Sequence, residues 1–219
     1  ERADAVVAEI RALGIAAIAA PADVGDHDSV KAAMAAAAQA LGPITLLVNN
    51  AGNAGPSATM GLSPPFWETA PDEWDRYFRT NLQGVMNCCH LALQGMVEQG
   101  KGRIVTIVSD AGRIGEARLA AYSAAKAGAT GFIRAIARET GRFGITVNAI
   151  SLSTLEPPFN EAEMAEFLAS ERTRSQLSRY VICRFGKPDD VANMALFLCS
   201  DASRFVTGSA FLLDDGQTL

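Results

Sequence analysis

Hydrophobic positions along this chain alternate between short apolar runs and longer segments in which apolar residues recur at helical spacing. Such alternation is typical of an α/β protein. The short apolar runs predict strands at 15–20, 44–48, 104–108, 145–150 and 211–213. The segments with helical spacing predict helices at 1–13, 26–41, 71–97, 120–140, 161–168 and 188–200. Residues 53–70 are rich in Gly, Pro, Ser and Thr and are predicted to form a long loop.

Three polar residues follow the strand predicted at 104–108. Ser109 ends that strand, and Tyr122 and Lys126 lie one turn apart on one face of the next helix. A phenol has a pKa near ~10, and a neighbouring ammonium is expected to lower it, so that Tyr122 can act as an acid or base. Ser109 is then placed to bind a substrate oxygen. The alternative is that the Tyr–Lys pair is an ordinary surface pair of a helix.

Further motifs accompany this triad, and the set resembles the short-chain dehydrogenase/reductase family, especially its ketoacyl reductases and cyclic-alcohol dehydrogenases. The resemblance covers essentially the whole chain. It rests, besides Ser109 and Tyr122-x-x-x-Lys126, on Asn49-Asn50-Ala51-Gly52, Asn81-Leu82-x-Gly84, Gly144-Ile145-Thr146-Val147-Asn148-Ala149-Ile150, Arg184-Phe185-Gly186-Lys187-Pro188-x-Asp190-Val191-Ala192, Thr207-Gly208 and Asp215-Gly216.

The resemblance implies a single domain over 1–219 with a Rossmann-type, doubly wound parallel sheet. It implies an NAD- or NADP-dependent oxidoreductase that interconverts a secondary alcohol and a ketone. The implied catalytic residues are Asn81, Ser109, Tyr122 and Lys126. Asn81 would hold a water that links Lys126 to solvent, and as an asparagine inside a predicted helix it also predicts a local distortion there.

The cofactor is expected at the carboxyl ends of the strands, where open α/β sheets bind their ligands. Asp23 and Val24 resemble the family's adenine site, although Asp23 alone also fits the start of a turn. The full set of cofactor-binding residues that the resemblance implies is Asp23, Val24, Asn50, Ala51, Gly52, Tyr122 and Lys126.

Two segments depart from the family pattern. No Thr-Gly-x-x-x-Gly-x-Gly motif occurs in these residues, so the first βαβ unit is expected to be missing from the chain. Residues 1–42 are then expected to lack their normal neighbours. After the strand at 145–150, Leu152-Ser153 stands where the family has Pro-Gly, and Pro157 stands where it has Thr. No residue of this chain is therefore assigned to the nicotinamide. A scaffold or regulatory subunit that has lost its cofactor site is therefore the alternative function.

The region 153–180 matches the family's substrate lid. It contains Arg172, Arg174 and Arg179, which either face solvent or bind an anionic handle such as the phosphate of an acyl thioester. Asp110 and Arg113, close to the triad, either contact substrate or pair with each other. The family also implies a homotetramer or homodimer through the helices at 71–97 and 120–140.

The composition of the chain limits the kinds of partner that it is expected to bind. The net charge is -5 and the pI about 5.1, which argues against nucleic acid as a partner. No apolar run is long enough for a membrane span and no signal peptide is visible. The four cysteines have no metal-ligand spacing and are expected to be buried in a cytoplasmic protein. The two histidines, His27 and His90, match no catalytic motif and are predicted to be structural or surface residues.

Overall fold

The computed structural model describes residues 2–54 and 63–218. Part of the loop predicted at 53–70 therefore lies outside the described residues. Within this part of the chain a parallel sheet of four strands has the order β1-β2-β3-β4. The strands are β1 (Leu46–Asn49), β2 (Gly102–Ser109), β3 (Ile145–Leu152) and β4 (Ala210–Leu213). Their register places Asn49 beside Thr106 and Ser109 beside Leu152. The predicted parallel α/β architecture is confirmed.

Helices connect and cover the strands. They are α1 (Arg2–Ala12), α2 (His27–Leu41), α3 (Asp72–Phe78), α4 (Gly84–Gln99), α5 (Ala111–Ile114), α6 (Ala120–Thr140), α7 (Glu161–Ala169), α8 (Glu171–Leu177) and α9 (Pro188–Cys199). Asp26 caps α2 by accepting from the backbone N–H groups of Asp28 and Ser29. Among the described helices, none has the length and apolarity required to cross a membrane.

Two apolar clusters lie on opposite faces of the sheet. Successive residues of a strand point to opposite faces, so Ile104 and Val105 belong to different clusters. The larger cluster joins the sheet to α4 and α6, and the smaller one joins it to Leu198 of α9. The catalytic helix predicted at 120–140 therefore lies against the sheet with its inner face anchored in the main core.

The strand predicted at 15–20 is wrong. The structure has no strand in residues 13–26, and the outer edge of β1 is not paired with any described residue. A parallel strand needs a neighbour for its backbone N–H and C=O groups, and this segment has none beside it. The apolar side of α1 is likewise uncovered, with Val6 52% exposed and Leu13 just beyond it 77% exposed. The expected lack of neighbours in residues 1–42 thus holds for α1 and the segment after it, whereas α2 packs against α4.

The expected burial of the cysteines holds in part. Cys89 is fully buried against the core, whereas Cys183 is exposed in the turn before α9 and has a positive φ of 56°. Between β2 and α6 the chain forms the short helix α5. Asp110 precedes α5, and its backbone carbonyl accepts from the N–H groups of Arg113 and Ile114.

Candidate active site

Ser109, Tyr122 and Lys126 meet at the carboxyl end of β2. Ser109 is the last residue of β2, and Tyr122 lies in the first turn of α6, which packs against the same sheet. The Ser109 hydroxyl is close enough to the Tyr122 hydroxyl to lower the pKa of that phenol. Lys126 follows one turn later, 5% exposed, with Nζ 5.8 Å from the centre of the Tyr122 ring. The Tyr122–Lys126 pair is thus partly buried against the end of β2 and is not a surface pair of the helix.

The predicted effect of Lys126 on Tyr122 is wrong for this structure. Burial raises the pKa of Tyr122 above its usual value of 10.0, and the hydrogen bond from Ser109 is what opposes that rise. The Lys126 ammonium donates to the backbone carbonyl of Ile107 at 2.9 Å. Burial lowers the pKa of Lys126 itself from 10.5 to about 8. Tyr122 is therefore a neutral phenol at neutral pH in this structure.

Tyr77 contributes to the burial of Tyr122, and sequence reasoning did not identify it. Their rings meet edge to face, with centroids 6.2 Å apart and planes at 68°. Tyr77 is buried in α3, and its hydroxyl accepts from Arg76 at 2.9 Å. The only signal in the sequence is its position four residues before Asn81, on the same side of the predicted helix.

Asn81 lies in the distortion that its position predicted. Residues 79–83 form a π-helical turn between α3 and α4, and Asn81 is 1% exposed. Its Nδ2 donates to the carbonyls of Tyr77 at 3.0 Å and Asn53 at 2.8 Å, and its Oδ1 accepts from the Asn53 N–H at 3.1 Å. π-Helical turns are frequent at functional sites. Here the turn fixes the loop that follows β1.

The loop at the end of β1 brings small residues close to the site. A Cβ on Gly52 would lie 3.3 Å from Asn81 Oδ1 and 3.5 Å from Lys126 Nζ, so Gly52 is in contact with both. Asn49 Nδ2 donates to Thr106 Oγ1 at 3.0 Å and thereby ties β1 to β2. A cavity between this loop and α4 is lined by Val24, Leu47, Val48, Asn49, Asn50, Ala51, Thr80, Gly84, Val85 and Cys88.

Asp23 and Val24, predicted at the adenine, lie at the far side of that cavity. Asp23 pairs with Arg79 at 2.7 Å, and its other oxygen accepts from the Gly25 N–H at 2.9 Å. The carbonyl of Val24 accepts from Asn87 Nδ2 at 2.9 Å. Asp23 thus starts a turn in this structure. Its role at an adenine stays a prediction.

On the other side of the triad, carboxylates gather at the ends of β2 to β4. Ser151 donates to Asp110 at 2.7 Å, and burial raises the pKa of that carboxyl. Arg113 lies 3.8 Å from Asp214, so the predicted pairing of Asp110 with Arg113 is not the contact that forms. The contacts of Asp110 with Ser151 and of Arg113 with Asp214 thus connect the ends of β2, β3 and β4 close to Ser109.

The segment after β3 carries the predicted lid. Helices α7 and α8 lie in it, and Phe167 of α7 packs on Phe185, which also meets Tyr180 edge to face. Thr154 Oγ1 accepts from Gln176 Nε2 at 3.2 Å. That bond links the start of this segment to α8.

Comparison with known proteins gives consistent results. The family model described as enoyl-(acyl carrier protein) reductase matches residues 1–218. The chain is 36% identical over 217 residues to the 3-oxoacyl-[acyl-carrier-protein] reductase FabG of Staphylococcus aureus, covering 99% of this chain and 83% of that protein. It is 38% identical over 207 residues to the inactive 2-(S)-hydroxypropyl-CoM dehydrogenase 2 of Xanthobacter autotrophicus, covering 94% and 87%.

A solved structure agrees in fold. The gluconate 5-dehydrogenase of Burkholderia cenocepacia, in complex with NADP and tartrate, superimposes with a TM-score of 0.85 at 29% identity. The match covers 98% of this chain and 80% of that one. The chain therefore belongs to the short-chain dehydrogenase/reductase family, and it is an NAD(P)-dependent oxidoreductase that acts on CH–OH groups.

Proposed function

We propose that Tyr122 is the acid/base of this oxidoreductase, that Ser109 orients the substrate oxygen, and that Lys126 and Asn81 support the proton transfer. The observation that carries the proposal is the position of Ser109 at the end of β2 beside Tyr122, with the buried Lys126 ammonium 5.8 Å from the centre of the Tyr122 ring. Two hydroxyls in contact at the end of a strand form a site for one carbonyl or alcohol oxygen. Geometry of this kind is the first requirement for acid/base catalysis.

The protonation states favour reduction at neutral pH. Burial raises the pKa of Tyr122, so its phenol is protonated when a ketone arrives. Ser109 donates to the carbonyl oxygen and holds it beside the phenol, and Tyr122 gives its proton to that oxygen as the carbon is reduced. When bound, NAD(P) supplies the hydride. A phenolate remains, which accepts a hydrogen bond from Ser109 until a proton returns through the water that we assign to Asn81.

The residues around the site fit a nicotinamide ribose. The Lys126 ammonium has three N–H donors, of which one is bonded to the Ile107 carbonyl. Gly52 lies in contact with its Nζ, where a side chain would fill the space that a ligand needs. Lys126 and Tyr122 would bind the ribose, Asn50 to Gly52 would flank the cavity beside β1, and Asp23 and Val24 would contact the adenine. The choice between NAD and NADP is open.

For the substrate we propose an acyl thioester with a keto group. Support comes from the 3-oxoacyl-[acyl-carrier-protein] reductase relative and from the arginines around α8, which can bind a phosphate through charge-assisted hydrogen bonds. The test is the oxidation of NADPH and NADH with acetoacetyl-CoA and, in parallel, with a cyclic ketone of similar reactivity. Preference for the thioester, reduced in Arg174→Gln, supports the proposal. Equal rates with both ketones would exclude it.

The alternative, a scaffold without catalysis, is favoured by one finding, because a relative of comparable identity is named inactive. The described site opposes it, since Ser109, Tyr122, Lys126 and Asn81 keep a common geometry.

We also propose assembly into a homodimer or homotetramer in the cytoplasm through the outer faces of α4 and α6. Met86 of α4 is 44% exposed, and no atom lies within 4 Å of a Cβ built on Gly131 of α6. Light scattering of the protein and of Met86→Lys tests the assembly.

A further inference from the structure

The two histidines of the chain, far apart in the sequence, lie side by side on the surface. His27 opens α2 and His90 lies in the middle of α4. Their nearest nitrogens, His27 Nε2 and His90 Nδ1, are 3.2 Å apart, and the ring centroids are 5.4 Å apart with planes tilted by 48°. The active site proposed above uses neither ring.

We propose that His27 and His90 form a binding site for a divalent transition metal ion such as Zn²⁺. Neutral imidazoles are common ligands of Zn²⁺, Cu²⁺ and Ni²⁺. With Zn–N bonds of about 2.0–2.1 Å in a tetrahedral site, two ligand nitrogens stand about 3.3–3.4 Å apart. The observed separation of 3.2 Å, at which the two nitrogens are hydrogen-bonded, is close to this ligand–ligand edge, so rotation of the two rings can aim both lone pairs at one ion.

A carboxylate on the far side of the His27 ring supports the same assignment. Asp28 Oδ1 lies 3.8 Å from His27 Nδ1. A carboxylate behind an imidazole favours the proton on the nitrogen that faces it and leaves the opposite nitrogen free to bind a metal. In His27 that free nitrogen is Nε2, the atom that faces His90. His90 binds through Nδ1 once its ring proton is on Nε2, so a neutral pair changes tautomer and loses no proton overall.

The site has two protein ligands. In the described part of the chain no group of three His, Cys, Asp or Glu side chains converges on one point, so water completes the coordination. Both rings are at the surface, which leaves room for these waters. An ion there links the start of α2 to α4. Because residues 22–26 lead directly into α2, it also stiffens the turn that holds Asp23 and Val24.

Isothermal titration of the protein in its native oligomeric state with ZnCl2 tests the site. We expect one ion per chain, and an affinity at least about ten-fold weaker in His27→Gln and in His90→Gln. Gln94→Ala, an exposed change one turn along α4, serves as the matched control and should bind as the wild type does. Cys183→Ser should also bind normally, because the exposed thiol lies outside the site.

Proton NMR provides a second readout that needs no variant. The chain has only two histidines, so their ring signals are readily resolved, and substoichiometric Ni²⁺ should broaden both at the same concentration. Absence of saturable binding, unchanged affinity in His90→Gln, loss of binding in Cys183→Ser, or broadening of one ring alone would each overturn the proposal. None of these outcomes depends on turnover, so the result is independent of the proposed function.

Discussion

Burying Lys126 costs stability, and its replacement by Met should make the protein more stable. The pKa of this lysine falls from 10.5 to about 8, a difference that corresponds to about 3 kcal/mol. Met has a similar shape and no charge to desolvate. The variant loses the hydrogen bond to the Ile107 carbonyl, which is worth about 1 kcal/mol. We therefore expect Lys126→Met to raise the free energy of unfolding by about 2 kcal/mol at pH 7.

The sign of the pH dependence follows from the lowered pKa. Between pH 8 and 10.5 the unfolded chain binds more protons at this lysine than the folded one, so wild-type stability gains with rising pH there. The difference between variant and wild type should thus be largest below pH 8 and shrink towards pH 10.5. Urea unfolding at several pH values measures it, with Lys101→Met at an exposed lysine as control. A less stable Lys126→Met protein, or a difference independent of pH, would refute the reasoning.

Three further changes test separate contacts. Ser109→Ala removes the hydroxyl that lowers the pKa of Tyr122, so a spectrophotometric titration should show a higher pKa in the variant than in the wild type. An unchanged pKa would contradict the contact. Gly112→Ala places a Cβ 2.8 Å from the backbone of α6 and should destabilise the protein by about 1–3 kcal/mol in urea unfolding. Gly131→Ala places its Cβ in open space and should stabilise α6 by about 0.5–1 kcal/mol. A Gly112→Ala protein more stable than Gly131→Ala would refute this packing. Asn81→Ala leaves a buried carbonyl without its donor and should cost about 1–3 kcal/mol in the same assay, and a neutral change would contradict the role of the π-helical turn.

The elements that the sequence predicted correctly are those with a local signal. The β-branched runs of β2 and β3, the small-residue helix α6 and the asparagine inside a helical pattern each depend on neighbouring residues, and the structure has them where expected. The spacing of Tyr122 and Lys126 was sufficient to place both on one face. Their meeting with Ser109 followed because the end of β2 and the start of α6 are close along the chain.

The predictions that failed depend on contacts between distant segments. The run at 15–20 is apolar enough for a strand, but whether a partner strand lies beside it cannot be read from the run itself. The pKa of Tyr122 depends on how deeply the ring is buried, partly beneath Tyr77, and on where the Lys126 ammonium finds an acceptor. The pairing of His27 with His90 arises from the packing of α2 on α4, for which single residues give no signal.

The most direct test of the central claim is the rate of ketone reduction by Tyr122→Phe compared with wild type, followed by the absorbance of the reduced dinucleotide. Tyr180→Phe, which removes the hydroxyl of another buried tyrosine, is the control. If Tyr122 supplies the proton, its loss should lower kcat by at least about 100-fold while urea unfolding stays cooperative and Tyr180→Phe keeps its activity. A Tyr122→Phe protein that reduces the ketone at near the wild-type rate would show that the proton comes from elsewhere.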